Sequence, residues 1–153
     1  MSDATRKVAA AAVGYSGKPL SQKLGLKPGL RVRLLHTPPE YWDWCEFDAA
    51  SIDLVAARAR NLDFVHLFAT SRDELRRDLA RLAPALADTG MLWISWPKKS
   101  ARLATDISEG TLRELALPLG LVDVKVCAVT ATWSGLKFVR RVELRANPSR
   151  KSS

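Results

Sequence analysis

Polar and basic side chains follow three predicted strands at the point where each strand ends. They comprise an imidazole, three hydroxyls and two ammonium groups, carried by His36, Thr37, Thr70, Ser71, Lys98 and Lys99. In an open α/β sheet, ligands bind at the carboxyl ends of the strands. Ammonium groups, and the helix amino terminus that Ser71 opens, attract phosphate and carboxylate groups. The sequence therefore predicts a site for a small anion at this edge of the sheet.

Four of these six side chains also have a structural explanation. Ser71 and Glu74 have the spacing of a capping box, which satisfies the exposed amides of a helix start. Lys98 and Lys99 suit an exposed loop that keeps the protein soluble, and His36 suits a polar strand end. The binding and the structural interpretations both stay open at this point.

The chain carries no recognisable catalytic or metal-binding pattern. Cys45 and Cys127 lack CxxC spacing, and together with two distant histidines they do not make a set of metal ligands. His66 lies in the middle of an apolar run and is interpreted as a hydrogen-bonded core residue. No metal site is predicted, and no catalytic residue is assigned.

The charge of the chain is unevenly distributed. Lys and Arg number 24 against 16 Asp and Glu, with basic ends at 1–37 and 98–153 and an acidic middle. The last predicted strand and its extension carry the basic residues Lys137, Arg140, Arg141 and Arg145. These residues make nucleic acid one candidate partner, through phosphate contacts. Basic side chains on an exposed edge strand also prevent aggregation, and this is the explanation that we favour for them.

Hydrophobic patterning predicts the elements that position these residues. Strands are expected at 30–35, 52–56, 62–69, 91–96, 121–129 and 136–144, the last two joined by a hairpin around 133–135. Helices are expected at 19–24, from Ser71 to a turn at Gly90, and from a cap at Asp106 or Ser108 to Leu115. Residues 41–47 are aromatic and acidic, without a clear period, and are interpreted as either a helix turn or an irregular loop that packs over the sheet. The order predicts a Rossmann-like α/β fold.

Length and composition predict one domain. At 153 residues, a single α/β domain over 15–146 is expected, between flexible segments at 1–14 and 147–153. No apolar stretch approaches the ~20 residues that span a bilayer. Asp3 interrupts the basic region that a signal peptide would need. We therefore expect a cytoplasmic protein with no membrane partner.

Several segments resemble known families. Residues 24–32, residues 82–94 and the closing hairpin resemble class I methyltransferase-like domains. More closely, the motifs at 14–20, 96–99, 117–127 and 132–139 are similar to an uncharacterised family of bacterial proteins, catalogued as a domain of unknown function. The resemblance implies a mostly parallel sheet with helices on both faces and a C-terminal antiparallel β-hairpin. It brings no known activity with it.

The turn after the first strand departs from the methyltransferase pattern. Those enzymes have an acidic residue and a Gly-x-Gly turn there, because only glycine lets the backbone approach the cofactor closely. Here the turn is His36-Thr37-Pro38-Pro39, and prolines remove amides and fix φ. The second strand ends near Arg58 and Arg60, where an acidic residue would bind a ribose. No cofactor is therefore predicted, and S-adenosylmethionine is disfavoured.

Three functional hypotheses follow. The first is a non-catalytic module that binds a small anion or a protein partner, with Thr70, Ser71, Lys98 and Lys99 as its main contacts. The second is a group-transfer enzyme, an S-adenosylmethionine-dependent methyltransferase with an atypical cofactor site. The third is a nucleic-acid-binding protein that uses the basic ends of the chain.

Overall fold

A six-stranded sheet runs through the centre of the protein. The computed structural model describes residues 18–146, so the predicted terminal segments at 1–14 and 147–153 lie outside the described residues. The strands are β1 (Arg31–Leu35), β2 (Asp53–Leu54), β3 (Leu62–Phe68), β4 (Leu86–Pro97), β5 (Leu121–Ala128) and β6 (Trp133–Arg140). Their order across the sheet is β2-β1-β3-β4-β6-β5.

Strands β1 to β4 are parallel, and β6 is antiparallel to both of its neighbours, β4 and β5. The mostly parallel sheet with a closing antiparallel hairpin is therefore confirmed. Because β6 lies between β4 and β5, it is an interior strand and β5 is the edge. The interpretation of Lys137 and its neighbours as protection of an exposed edge is wrong, since the order of strands across a sheet does not follow their order in sequence.

Helices cover both faces of the sheet. They are α1 (Leu20–Leu24), α2 (Tyr41–Cys45), α3 (Arg72–Ala85) and α4 (Glu109–Ala116). Helices α1 and α2 pack on the face that presents Phe64 and Trp93, whereas α3 and α4 pack on the face that presents Leu67 and Ile94. Alternate residues of β3 and β4 thus supply two separate cores. Within residues 18–146, no helix has the length and apolar character that a bilayer crossing requires.

Helix α3 ends earlier than the sequence predicts. It stops at Ala85 and β4 begins at Leu86, so the extended chain passes through Gly90 instead of turning there. Gly90 lies so close to β3 that a Cβ atom at this position would collide with the carbonyl oxygen of Leu62. Glycine at this position permits a close approach of two strands rather than a helix end.

The turn of the closing hairpin also differs from the prediction. Strand β6 begins at Trp133, so residues 133–135 belong to the strand and the turn lies at 129–132. The hydroxyl oxygen of Thr130 accepts hydrogen bonds from the amides of Thr132 and Trp133 at 3.0 and 3.1 Å. A threonine hydroxyl therefore organises the turn that the sequence placed at a glycine.

The link between β2 and β3 is short. It spans residues 55–61 and contains no helix. Because β2 and β3 lie on opposite sides of β1, the chain changes direction across the sheet at this point. The carboxyl ends of β1 and β3 therefore form the switch point at which open α/β sheets bind ligands.

Candidate functional site

Aromatic side chains fill the space at the carboxyl end of β3. Phe68, the last residue of that strand, is 1% exposed. Its ring stacks on His66 with 4.5 Å between centroids and meets Trp133 edge to face at 5.0 Å. Tyr41 and Trp44 of α2 approach the same ring, with centroids at 5.9 and 6.5 Å. We call these five residues the aromatic cap.

Helix α2 brings two rings to the aromatic cap. The amide of Tyr41 donates to the carbonyl oxygen of Pro38 at 3.1 Å, and Glu46, whose φ is 51°, follows the helix as its carboxyl-terminal cap. Tyr41 and Cys45 lie four residues apart, so both face the sheet, and both are buried. In place of a glycine turn, the prolines lead into a short helix that lays aromatic rings over β3.

His66 lies fully buried in the aromatic cap. Its Nδ1 is 2.8 Å from Oη of Tyr41, and its Nε2 is 2.8 Å from Oγ of Ser95. Because each hydroxyl can donate or accept, both nitrogens of a neutral imidazole have a partner. Burial lowers the pKa of His66 to about 3 and raises the pKa of Tyr41 well above its usual value. The prediction of a hydrogen-bonded core histidine is confirmed.

The start of helix α3 is satisfied from within the chain. Oγ of Ser71 accepts from the amide of Glu74 at 3.3 Å, which confirms Ser71 as the helix cap, whereas the described residues show no return bond from the Glu74 carboxylate to complete the predicted capping box. The carboxylate of Asp106 accepts from the amide of Arg72 at 2.7 Å. Thr105 donates its hydroxyl to the carbonyl oxygen of Thr70 at 2.7 Å. The chain therefore places its own anion, Asp106, at the helix amino terminus where the sequence suggested a ligand.

Lys98 and Lys99 line a groove of about 500 Å³ beside this loop, which we call the β4 groove. Its lining residues are Trp96, Pro97, Lys98, Lys99, Leu103, Thr105, Ile107, Ser108, Glu109 and Ser134. Among the described residues, Glu109 is the one carboxylate in this lining, and it pairs with Arg113 at 2.6 Å. The two ammonium groups therefore face no unpaired acid in the β4 groove.

The other predicted site residues lie apart from the β4 groove. His36 has a φ of 58°, in the region that favours glycine, and histidine adopts it more readily than most residues. Its Nε2 lies 3.2 Å from Oδ2 of Asp78 in α3, whose other oxygen accepts from Arg81 at 2.7 Å. Neither His36 nor Thr37 nor Ser71 lines the groove, and Thr70 reaches it through its contact with Thr105.

The arginines of the basic series contact the main chain. Arg140 donates to the carbonyl oxygens of Ala83 and Leu86 at 2.8 and 2.6 Å, where α3 ends. Arg141 and Arg145 also donate to main-chain carbonyl oxygens. These contacts give the three guanidinium groups a structural role at the ends of α3, α4 and β6.

Within residues 18–146, no group of three or more His, Cys, Asp or Glu side chains is placed to hold a metal ion. Cys45 and Cys127 are buried free thiols. Burial raises the pKa of Cys45 to about 12. Burial also raises the pKa of Cys127, an effect that nearby Lys23, Lys125 and Lys98 partly offset. Neither thiol is therefore activated as a nucleophile at neutral pH.

Sequence reasoning missed two features of this edge. Asp78 lies among the leucines of α3, three residues after Leu75 and four before Leu82, and a buried acid on an apolar helix face is a signal that marks it. The closure of β3 by Trp44 and Trp133 has no such local signal, because the contacting rings lie 24 and 65 residues from Phe68 in sequence.

No protein-family model and no curated protein matches the chain. Solved structures match it over most of its length. A putative type 11 methyltransferase from Sulfolobus solfataricus has a TM-score of 0.55 and 15% identity, over 85% of this chain and 94% of that chain. The magnesium protoporphyrin IX methyltransferase of Synechocystis, with bound SAM, has a TM-score of 0.54 and 15% identity, over 90% of this chain and 80% of that chain.

Two further solved structures match with similar TM-scores and identities. A TehB-like SAM-dependent methyltransferase from Corynebacterium glutamicum has a TM-score of 0.53 and 13% identity, over 92% of this chain and 96% of that chain. A pericyclic reaction enzyme has a TM-score of 0.52 and 16% identity over 80% of this chain, which spans 39% of that protein. These likenesses show that the chain has the class I methyltransferase fold, and at such identities they show the fold alone.

Proposed function

We propose that the protein is a non-catalytic binding module for a small organic anion, built on a methyltransferase-like scaffold. The aromatic cap is the observation that carries the proposal. It occupies the position at which this scaffold would receive a cofactor, while the lysines of the β4 groove stand at the end of the neighbouring strand. Binding is therefore assigned to the β4 groove and not to the switch point.

The residues at the switch point do not fit S-adenosylmethionine. Pro38 and Pro39 replace the glycines whose amides would cradle the cofactor, and the cap leaves Phe68 1% exposed. Asp63, the first acid after β2, accepts from the amide of Arg31 at 2.9 Å. Asp63 therefore lies at the amino end of β3, at the opposite edge of the sheet from the switch point, and is not placed to bind a ribose there. The proline turn, the space that the aromatic cap fills and the lack of an acid to bind the ribose all disfavour S-adenosylmethionine.

The β4 groove suits an anion that carries an apolar part. Lys98 and Lys99 supply positive charge, and the hydroxyl of Ser134 supplies a hydrogen-bond donor. The hydroxyls of Thr105 and Ser108 are engaged within the chain, with Thr70 and Thr111. Apolar side chains from Trp96, Pro97, Leu103 and Ile107 complete the wall. A few polar groups set among apolar ones are typical of small-molecule sites, and the volume lies in their usual range. We infer an aromatic or aliphatic carboxylate or phosphate as the ligand class.

Calorimetry with phenyl phosphate tests this assignment. The full chain is expected to bind phenyl phosphate, and the uncharged benzyl alcohol at least about tenfold more weakly, because the lysines recognise the charge. The double variant Lys98→Gln, Lys99→Gln is expected to lose about tenfold in affinity for phenyl phosphate.

The matched control removes two charges elsewhere. Lys27 and Arg76 are exposed and lie outside the β4 groove, so the double variant Lys27→Gln, Arg76→Gln has the same net charge as the test variant. It is expected to bind phenyl phosphate like the wild type. Equal affinities of the test and control variants would overturn the assignment, since binding would then follow net charge alone.

The alternative is an S-adenosylmethionine-dependent group-transfer enzyme. It is favoured by the solved structures of similar fold that contain SAM or SAH. For this chain, it requires that Trp44 and Trp133 move away from Phe68 to admit the cofactor. Tight binding of S-adenosylmethionine, with a response at the aromatic cap, would favour this alternative.

A further inference from the structure

We propose a second anion site in a groove between α1 and the edge strand β5, with a phosphate-bearing small molecule as its ligand. The groove has a volume of about 640 Å³. Its lining residues are Lys18, Gln22, Lys23, Lys125, Val126, Cys127 and Ala128. The volume lies in the usual range of small-molecule sites. We call it the α1 groove.

The α1 groove concentrates positive charge. Three lysines line it, and among residues 18–146 no Asp or Glu belongs to the lining. Lys125 lies directly across the β5–β6 ladder from Lys137. Burial lowers the pKa of Lys137, and the charge of Lys125 lowers it further. Like charges in this position destabilise a sheet, so packing does not explain the pair, whereas a bound anion would offset the repulsion.

Lys125 is held in place over the groove. Its ammonium group donates to the carbonyl oxygen of Lys23 at 3.3 Å, where α1 ends. An ammonium group has three donors, so this contact leaves two for a ligand. Lys18 and Lys23 belong to the α1 side of the groove, and the ammonium group of Lys125 reaches that side from β5. A ligand in the groove would therefore meet the positive charge of three lysines.

The lining selects the chemical class of the ligand. Lysine ammonium groups bind phosphate oxygens as point charges, and the side-chain amide of Gln22 adds a further donor. No aromatic ring of the described residues lines the groove, so bases of a nucleic acid would find no stacking surface there. A compact group with several negative charges, such as a polyphosphate, fits this lining better than a nucleic acid strand.

Calorimetry with inorganic tripolyphosphate on the full chain tests the proposal. The wild type is expected to bind it, and more weakly as salt rises toward about 0.15 M. Lys125→Gln and Lys23→Gln are each expected to weaken binding about tenfold. Lys27→Gln removes the same charge from an exposed turn outside the groove and is expected to change affinity less than about twofold. Equal affinities of Lys125→Gln and Lys27→Gln would overturn the proposal.

Cys127 supplies a second, local readout. It lines the α1 groove and is 8% exposed, whereas Cys45 is 0% exposed. Tripolyphosphate at a concentration that saturates the wild type is expected to slow labelling of Cys127 by a maleimide at least about threefold in the wild type, and less in Lys125→Gln. An unchanged labelling rate in the wild type would contradict a ligand in this groove.

Two further results would redirect the assignment. If Lys98→Gln, Lys99→Gln abolishes tripolyphosphate binding and Lys125→Gln does not, the ion occupies the β4 groove and the second site is overturned. If single-stranded RNA binds through Lys125 while tripolyphosphate does not bind, the small-ligand class is overturned.

Thermal unfolding of each variant checks that it is folded. Lys125→Gln is expected to melt at or above the wild-type temperature, because repulsion with Lys137 is removed.

Discussion

At the carboxyl end of β3, four rings enclose Phe68, whereas at the end of β4 two lysines stand beside a groove of about 500 Å³. The polar groups near the β3 end have partners within the chain, as His66 has Tyr41 and Ser95. Lys98 and Lys99 face no unpaired acid in their groove. One sheet edge thus combines a region whose interactions stabilise the fold with a region that leaves charge for a ligand. Changes in the first region should alter stability, and changes in the second should alter binding.

Truncation of the aromatic cap is expected to have the largest effect. Phe68→Ala removes a fully buried ring and should lower the free energy of unfolding by about 3–5 kcal/mol, as measured by urea denaturation. Val126→Ala on the edge strand is the control, because Val126 is 59% exposed and should change stability by less than about 0.5 kcal/mol. A loss below about 1 kcal/mol for Phe68→Ala would show that the cap is not closed.

Acid should destabilise the capped region through His66. Its pKa is about 3 in the folded protein and about 6.5 in the unfolded chain, so the unfolded chain binds more protons between these values. The stability that the neutral, buried His66 allows is fully present above about pH 6.5. As the pH falls toward 3, the free energy of unfolding decreases by up to about 1.4 kcal/mol per pH unit. Urea denaturation at pH 7, 6 and 5 should show a weaker pH dependence for His66→Gln. Equal slopes for the variant and the wild type would contradict a buried neutral histidine.

Removal of the charge on Asp78 is expected to have an intermediate effect on stability. Asp78 is 6% exposed at its side chain and accepts from His36 and Arg81. Asp78→Asn leaves these donors with a weaker acceptor, and it should lower the free energy of unfolding by about 1–3 kcal/mol. Urea denaturation measures the free energy of unfolding of Asp78→Asn. The control is Asp73→Asn, at an exposed position of the same helix. Equal stability of the two variants would remove Asp78 from the stabilising region.

The smallest effect on stability is expected in the α1 groove, with the opposite sign. Lys125→Gln removes the repulsion with Lys137 across the ladder and should raise the free energy of unfolding by a few tenths of a kcal/mol, roughly 0.2–0.5. Thermal denaturation at low salt, where the repulsion is least screened, measures the gain. A loss of more than about 1 kcal/mol would mean that Lys125 stabilises the fold, and that the α1 groove does not leave its charge for a ligand.

The sequence predicts the elements that depend on local signals. The apolar run of β3 followed by the Ser71 cap identifies both β3 and the start of α3, because periodicity and capping involve residues close together in the chain. The end of α3 is less certain, since glycine at position 90 fits a turn and a close strand approach equally well.

The features that decide the candidate sites depend on distant residues. Asp106 meets the amide of Arg72 across 34 positions, and Lys125 meets the carbonyl oxygen of Lys23 across 102 positions. No local pattern encodes either contact. For the same reason, the sequence names Lys98 and Lys99 as candidate ligands but reveals neither the groove that they line nor the α1 groove.

The most direct test of the closed switch point is an NMR titration of the full chain, with backbone amides as reporters. Phenyl phosphate is expected to shift the amides of residues 98–99 and 105–109, around the β4 groove. S-adenosylmethionine at about 1 mM is expected to leave the amides of 36, 37, 40 and 69–71 unchanged, because under the proposed function the aromatic cap occupies the cofactor position. Saturable shifts of these amides with S-adenosylmethionine would contradict the account and favour a methyltransferase with an atypical site.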